Sequence, residues 1–124
     1  MRALVIDDSK PIRSILTDIL VKQGFDVEVA ANGLEAIELV KKEKIDLALV
    51  DWNMPEMNGL EFVQEVRKNN TYKNMLLMMV TTETALEKVA DALEAGANEY
   101  VMKPFTKEII IEKLALMGVD CQKD

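Results

Sequence analysis

The sequence predicts an α/β domain in which one five-stranded parallel sheet carries helices on both of its faces. Short apolar runs of strand length alternate five times with longer segments whose apolar residues follow the i, i+3, i+4 spacing of a helix. The apolar runs are continuous, which is typical of strands that are buried on both faces. Five strand–helix units in succession therefore predict a doubly wound parallel sheet.

The first strand–helix unit has well-marked boundaries. The apolar run Ala3–Ile6 predicts the first strand. Ser9 is a suitable N-cap for the helix that follows, Pro11 is tolerated in a first helical turn, and Gly24 is typical of a helix end. The apolar stripe that predicts this amphipathic helix comprises Ile12, Ile15, Leu16, Ile19 and Leu20.

The second and third units repeat this order. Val27 and Val29 mark the second strand, and Asn32-Gly33 predicts a turn before the second helix. Leu47–Val50 predicts the third strand, and Gly59 opens the third helix after a loop that contains a proline. The apolar positions of these two helices are Ala36, Ile37 and Val40, followed by Phe62, Val63 and Val66.

The last two units complete the sheet. Met75–Val80 predicts the fourth strand, in which the methionines are interpreted as core filling. Gly96 ends the fourth helix, Tyr100–Met102 predicts a short fifth strand, and Thr106 is a suitable cap for the last helix. The apolar positions of these helices are Leu86, Val89, Ala90 and Leu93, followed by Ile110, Ile111 and Leu114.

Length and composition predict a single domain over residues 1–120 with a short, frayed tail over 121–124. The net charge of −7 disfavours nucleic acid as a partner, and no apolar run is long enough to cross a bilayer. Cys121 is the single cysteine, and the N-terminus does not resemble a signal peptide. We therefore expect a cytoplasmic monomer without nucleic-acid or membrane partners. Because histidine is absent, zinc-type sites, histidine-activated nucleophiles and a phosphohistidine on this chain are excluded.

Polar residues follow the predicted strands at their carboxyl ends, where open parallel sheets bind ligands. Asp7 and Asp8 follow strand one, Asp51 strand three, Thr81 strand four and Lys103 strand five. Three carboxylates in one crevice repel one another unless a hard divalent cation such as Mg²⁺ lies between them. An aspartate beside such an ion can attack phosphorus, and the Lys103 ammonium and Thr81 hydroxyl could stabilise the product. The alternative is that Asp7 and Asp8 merely cap the first helix.

These residues also carry a resemblance to a known family. The sequence resembles the receiver domains of two-component response regulators along essentially its whole length, and among them the CheY-like single-domain regulators. The matching segments are Asp7-Asp8, Asp51-Trp52-Asn53-Met54-Pro55, Gly59, Val80-Thr81, Gly96-Ala97 and Tyr100-Val101-Met102-Lys103-Pro104-Phe105-Thr106. The resemblance implies a flavodoxin-like fold with strand order 2-1-3-4-5.

The resemblance implies a role for each residue of the cluster. Asp51 would be the phosphoacceptor, and Lys103 would contact the phosphoryl group. The peptide bond between Lys103 and Pro104 would be cis, a form that is realistic only before proline. The implied Mg²⁺ ligands are Asp7 (through water), Asp8, Asp51 and the backbone carbonyl of Asn53.

The resemblance also implies a switch. Thr81 would move toward the phosphoryl group, and Tyr100 would turn inward behind it. This movement would change the face formed by the fourth helix, the fifth strand and the fifth helix, where partners bind. Asn53 and Glu83 would tune dephosphorylation, because both polar groups could engage an attacking water.

The function implied is that of a stand-alone response regulator, which is not an enzyme but is expected to dephosphorylate itself. A sensor histidine kinase would phosphorylate it. With no output domain in the sequence, its output would be binding to an effector, either a flagellar motor switch in chemotaxis or a phosphotransfer protein in a phosphorelay. The alternative from another class is a metal-dependent phosphatase with an aspartate nucleophile, but Asn53 follows the acceptor where the second acid is needed. A flavin-binding electron carrier is disfavoured because Asp7-Asp8 would repel an anionic cofactor.

Overall fold

The computed structural model describes residues 1–83 and 85–119, so the predicted tail at 121–124 with Cys121 and the boundary at 120 lie outside the described residues. The strands are β1 (Arg2–Ile6), β2 (Asp26–Ala30), β3 (Leu47–Val50), β4 (Leu76–Thr81) and β5 (Glu99–Met102). The helices are α1 (Lys10–Lys22), α2 (Gly33–Lys42), α3 (Gly59–Lys68), α4 (Leu86–Ala95) and α5 (Lys107–Leu116), with a short 3₁₀ helix at Asn70–Tyr72 before β4. Within this part of the chain, no helix combines the length and the apolar character that crossing a membrane requires.

All five strands are parallel and lie in the order β2-β1-β3-β4-β5, so the predicted fold class and strand order are confirmed. β1 and β3 are neighbours near the centre of the sheet, and Ile6 pairs with Ala30 on β2 and with Val50 on β3. β2 lies on the outer side of β1, whereas β4 and β5 follow on the outer side of β3. The carboxyl ends of β1 and β3 therefore form the switch point at which such sheets bind ligands.

The central strands are buried on both faces, as their continuous apolar runs predict. Leu4 and Ile6 of β1 pack on the side covered by α2, α3 and α4. Ala3 and Val5 pack on the other side, with α1 and α5. Because successive side chains of a strand point to opposite faces, a strand covered on both sides needs an apolar residue at every position.

Side-chain caps fix the starts of most helices. The predicted caps at Ser9 and Thr106 are confirmed, since each side-chain oxygen accepts a hydrogen bond from a backbone amide of its own helix. The chain turns before α2 as predicted, but the bend lies at Ala31 and Asn32, one residue earlier than expected. The Asn32 side chain accepts a hydrogen bond from the amide of Glu35 at 2.9 Å, and Gly33 is the first residue of α2. The asparagine satisfies a free amide of the first helical turn, so the helix starts here.

The apolar stripes differ from the prediction at the periphery of the fold. Ile15 on α1 and Val29 on the edge strand β2 are exposed. Leu86 on α4 is 85% exposed and Leu93 is also exposed, whereas Ala92 of the same helix is buried. Spacing identifies residues that share a helix face, but the packing of the helix against the sheet decides which face is covered.

Candidate functional site

The predicted site residues meet at the carboxyl end of the sheet. The amides of Asp7, Asp51 and Lys103 donate hydrogen bonds of 3.1, 2.9 and 2.9 Å to carbonyls at the ends of β2, β1 and β4. The sheet pairing thus extends one residue beyond β1, β3 and β5 and orients these side chains. Asp7, Asp51 and Thr81 are buried, at 1, 7 and 0% exposure. Charged residues are rarely buried without a partner or a function, so this concentration marks a candidate site.

The three aspartates form an oxygen-rich cluster. Asp7, Asp8 and Asp51 each bring one carboxylate oxygen to within 4.8 Å of the others. Asp7 is held in place because its Oδ1 accepts from the amide of Ser9 at 2.9 Å and its backbone carbonyl accepts from Arg13 Nη1 at 2.7 Å. Asp8 is exposed, which leaves one side of the cluster accessible to water. Such a cluster fits Mg²⁺, because this ion prefers oxygen ligands and retains several waters when it is bound in a protein.

Lys103 supplies the positive charge in this cluster. Its Nζ lies 2.8 Å from Asp7 Oδ2 and 3.3 Å from Asp51 Oδ2, and its side chain is 14% exposed. Burial acts to lower the pKa of Lys103. The hydrogen bond with Asp7 and the charges of Asp51 and Asp7 together outweigh burial and raise that pKa above the ordinary value. Lys103 therefore remains an ammonium at neutral pH. The peptide bond between Lys103 and Pro104 is cis, as predicted.

Asp51 is in a less favourable electrostatic environment than a surface aspartate. Burial raises the pKa of Asp51 above its ordinary value. The ammonium of Lys103 opposes this shift, the charge of Asp7 adds to it, and the hydroxyl of Thr81 acts to lower it. The positive charge of Lys103 consequently does not fully stabilise the ionised form of Asp51, and a bound divalent cation would provide further positive charge.

Gly59 sets the geometry of the loop that follows Asp51. Its amide donates to the carbonyl of Trp52 at 2.9 Å, which brings the start of α3 against the acceptor strand. A Cβ at position 59 would lie 2.2 Å from the backbone oxygen of Asp51, so only glycine permits this approach. Asn58 and Glu61 complete a reciprocal capping box at the same helix start. The hydrogen bond from Gly59 and the capping box at the start of α3 thereby fix the loop that follows Asp51.

Glu83 connects the remaining predicted site residues. The Asn53 side chain donates to Glu83 Oε1 at 3.2 Å, and the Tyr100 hydroxyl donates to the backbone carbonyl of Glu83 at 2.8 Å. The amide of Glu83 donates to Thr81 Oγ1 at 3.3 Å. Burial raises the pKa of Tyr100, and the charges of Glu83 and Asp51 add to this rise, so the phenol stays protonated at neutral pH. The residues proposed for switching and for dephosphorylation therefore lie in one hydrogen-bonded chain beside Asp51.

Sequence reasoning missed two cationic residues of this region. Arg13 donates to the carbonyl of Asp7, and Lys88 on α4 places its Nζ 4.8 Å from the centroid of the Trp52 ring. Neither residue stands at the end of a strand, and their partners are reached only after the helices pack. A basic residue on a helix gives no sequence signal that separates such a contact from ordinary exposure to solvent.

Two open grooves lie near the amino end of the sheet, with volumes of about 460 and 560 Å³. Tyr72 and Lys41 line both grooves, and no residue of the aspartate cluster lines either one. Lys41 and Lys42 lie in the last turn of α2, where cations interact favourably with the helix dipole. We therefore assign the candidate site to the strand ends and not to these grooves.

Comparisons with known proteins identify the family to which the chain belongs. A family model described as the response regulator receiver domain matches residues 3–115. The Chemotaxis protein CheY homolog of Campylobacter jejuni is 47% identical over 116 residues, covering 92% of this chain and 89% of that protein. Chemotaxis protein CheY1 of Helicobacter pylori is 43% identical over 119 residues, covering 94% and 96%. The solved structure of Vibrio cholerae chemotaxis protein CheY4 matches with a TM-score of 0.88 at 38% identity, covering 94% and 97%. The chain belongs to the response regulator receiver domain family.

Proposed function

We propose that this receiver domain is a stand-alone response regulator, phosphorylated on Asp51 by a partner histidine kinase in a Mg²⁺-dependent reaction. The observation that carries the proposal is the position of the buried Asp51 carboxylate. It lies 3.3 Å from the ammonium of Lys103 and within a cluster of three carboxylates at the switch point of the sheet. Nucleophile, cation and metal ligands are thus assembled around one point at which a phosphoryl group can be received.

The phosphoryl transfer follows from these groups. A carboxylate oxygen of Asp51 attacks phosphorus, and the new P–O bond replaces the P–N bond to the phosphohistidine of the kinase. The electron pair of the broken bond leaves with the imidazole, which takes up a proton from solvent. Lys103 is an ammonium at neutral pH, and it donates to the phosphoryl oxygens as their charge arrives. The Thr81 hydroxyl supplies a second donor once its side chain turns toward the product.

Charge balance supports Mg²⁺ as the cofactor. Asp7, Asp8 and Asp51 bring three negative charges together, and Lys103 provides a single positive charge for Asp7 and Asp51. Two negative charges remain, which one divalent cation would neutralise. In the proposal, the three aspartates and the backbone carbonyl of Asn53 hold the ion. When bound, Mg²⁺ neutralises charge on the phosphoryl oxygens during transfer.

The proposed output is a change in the face formed by α4, β5 and α5. Tyr100 on β5 is connected to the segment after β4 through its hydrogen bond to Glu83, so a shift of Thr81 toward the phosphoryl group would be transmitted to this face. Leu86 and Met102 are exposed there and are available to a partner. We propose that Asn53 and Glu83, which are hydrogen-bonded to each other, orient the water that hydrolyses the acyl phosphate.

The proposed setting is chemotaxis or motility in the cytoplasm. The relatives from Campylobacter jejuni and Helicobacter pylori are named chemotaxis proteins, and each is matched over most of its length. The effector would then be a flagellar motor switch protein that binds the regulator as a monomer. A phosphotransfer protein as partner would make the chain a phosphorelay intermediate instead. Pull-downs with both kinds of partner, with and without acyl phosphate, separate the two.

The central test is incubation with Mg²⁺ and acetyl phosphate followed by intact-mass measurement. We expect the wild-type chain to gain the mass of one phosphoryl group. Asp51→Asn should gain nothing, and Asp18→Asn, which changes an exposed aspartate of α1, should behave like the wild type. An unmodified wild-type chain, or an adduct that persists in Asp51→Asn, would overturn the proposal.

A further inference from the structure

Helix α4 has few structural anchors. Its residues are all described, and Ala92 alone among them is buried. Ala85 stands at the N-cap position and makes no side-chain cap bond, whereas Ser9, Asn32, Asn58 and Thr106 cap the other helices. Leu86, the first residue of α4, is 85% exposed. Burial and capping therefore hold the first turns of α4 weakly, so individual side-chain contacts have a large effect on their position.

A cation–aromatic contact joins these turns to the residue that follows Asp51. Lys88 Nζ lies 4.8 Å from the centroid of the Trp52 ring, within the range in which an ammonium is attracted by an indole face. The position of the ring is fixed, because Trp52 is only 5% exposed and its backbone carbonyl accepts a hydrogen bond from the amide of Gly59. Lys88 is half-buried, so solvent screens its charge less than the charge of a fully exposed lysine.

We propose that Lys88 is a positioning residue that couples the state of Asp51 to the position of α4. Its ammonium lies against the ring of the residue next to the acceptor, and its backbone belongs to the first turn of the least anchored helix. The inference rests on the proposed function, in which Asp51 takes up a phosphoryl group. The added negative charge beside Trp52 attracts the ammonium further, which favours the state in which α4 is held against the acceptor loop.

The coupling is reciprocal. If phosphorylation strengthens the contact between Lys88 and Trp52, the contact must stabilise the phosphorylated state by the same factor. At a partly exposed site, the attraction between a cation and an aromatic face changes an equilibrium constant by a factor of about two to five. Removal of the charge should therefore loosen α4 by about that factor, and a different cation at the same position should restore it.

The test compares Lys88→Met, which keeps the length of the side chain, with Lys88→Arg, which keeps the cation. Lys41→Met, at the exposed end of α2, is the matched control. Each protein is held in Mg²⁺ and excess acetyl phosphate, and its phosphorylated fraction is measured by intact mass. Amide hydrogen exchange across α4 is measured together with the emission of Trp52, the only tryptophan.

We expect exchange in α4 of phosphorylated Lys88→Met to be about two- to fivefold faster than in the wild type, with a shifted Trp52 emission. Lys88→Arg and Lys41→Met should match the wild type. Equal exchange in Lys88→Met and the wild type would overturn the inference, and so would Lys88→Arg behaving like Lys88→Met. A wild-type chain that takes up no phosphoryl group would instead overturn the proposed function, and the coupling with it.

Discussion

Substitution of Gly59 by alanine is expected to destabilise the fold and to disturb the acceptor directly. A Cβ at position 59 would lie 2.2 Å from the backbone oxygen of Asp51, 2.9 Å from its carbonyl carbon and 3.0 Å from the side chain of Met79. Met79 could move aside, but the backbone of Asp51 is fixed by its amide hydrogen bond to the end of β1. The new methyl group must therefore push α3 and the acceptor strand apart.

The expected magnitude is the difference between two opposing effects. At a helix position without steric conflict, glycine to alanine stabilises a protein by about 0.4–1 kcal/mol, mainly by restricting the unfolded chain. Insertion of an extra carbon into a well-packed site costs about 1–3 kcal/mol. A 2.2 Å approach to backbone is far inside van der Waals contact, so we expect the upper part of that range. The net loss in the free energy of unfolding should be about 2 kcal/mol.

Urea unfolding measures this loss, and the rate of adduct formation with acetyl phosphate reports on Asp51. Gly33→Ala is the comparison, because its Cβ would meet Met57 at 2.7 Å and not Asp51. It should also lower stability, but it should slow adduct formation less than Gly59→Ala does when both are compared at equal folded fraction. A Gly59→Ala protein as stable as the wild type, or one that is less stable but phosphorylated at the normal rate, would refute the reasoning.

Three further outcomes are expected. Glu56→Asn should raise the free energy of unfolding by about 0.5–1 kcal/mol in urea, because Glu56 has a φ of 70°, a left-handed conformation that asparagine tolerates better; an unchanged or lower stability would contradict this. Without Mg²⁺, Asp51→Asn should be more stable than the wild type at pH 7, because burial raises the pKa of Asp51 above 3.8 and thereby penalises its charged form in the native state. That gain should vanish below pH 3.8, where the carboxyl is protonated in both the folded and the unfolded chain, and a gain that grows on acidification would contradict the sign of the shift. Mg²⁺ at about 100 times its Kd should add about 2.7 kcal/mol to the wild-type free energy of unfolding. Asp8→Asn should lose most of this increment and Asp18→Asn should keep it, as measured by thermal unfolding with and without Mg²⁺; an equal increment in Asp8→Asn would argue against the metal site.

Much of the fold was predictable because its signals are local. Each helix cap involves residues three positions apart, as at Ser9 and Thr106, and each buried strand appears as a continuous apolar run. The turn predicted at Asn32-Gly33 lies one residue earlier for a local reason too, since the same dipeptide also suits a helix start. The exposed face of α4 had no local signal, because several of its faces carry apolar residues.

The candidate site was predictable in its members but not in its contacts. Asp7, Asp51 and Lys103 each follow an apolar run, and parallel strands bring their carboxyl ends to one edge of the sheet. The 2.8 Å contact between Lys103 and Asp7 joins residues 96 positions apart, so no spacing rule reports it. The roles assigned to Asn53, Glu83 and Tyr100 remain predictions.

The sequence by itself determined the alternation of strands and helices, the buried strands and the carboxylates, lysine and threonine at the strand ends, because these depend on neighbours along the chain. Only the tertiary structure decided that Gly59 must lack a Cβ, that α4 leaves Leu86 exposed and that Lys88 reaches the ring of Trp52. Those features depend on the rotation of each helix about its axis and on its distance from the sheet. Both are decided by the packing of the whole core, to which every element contributes.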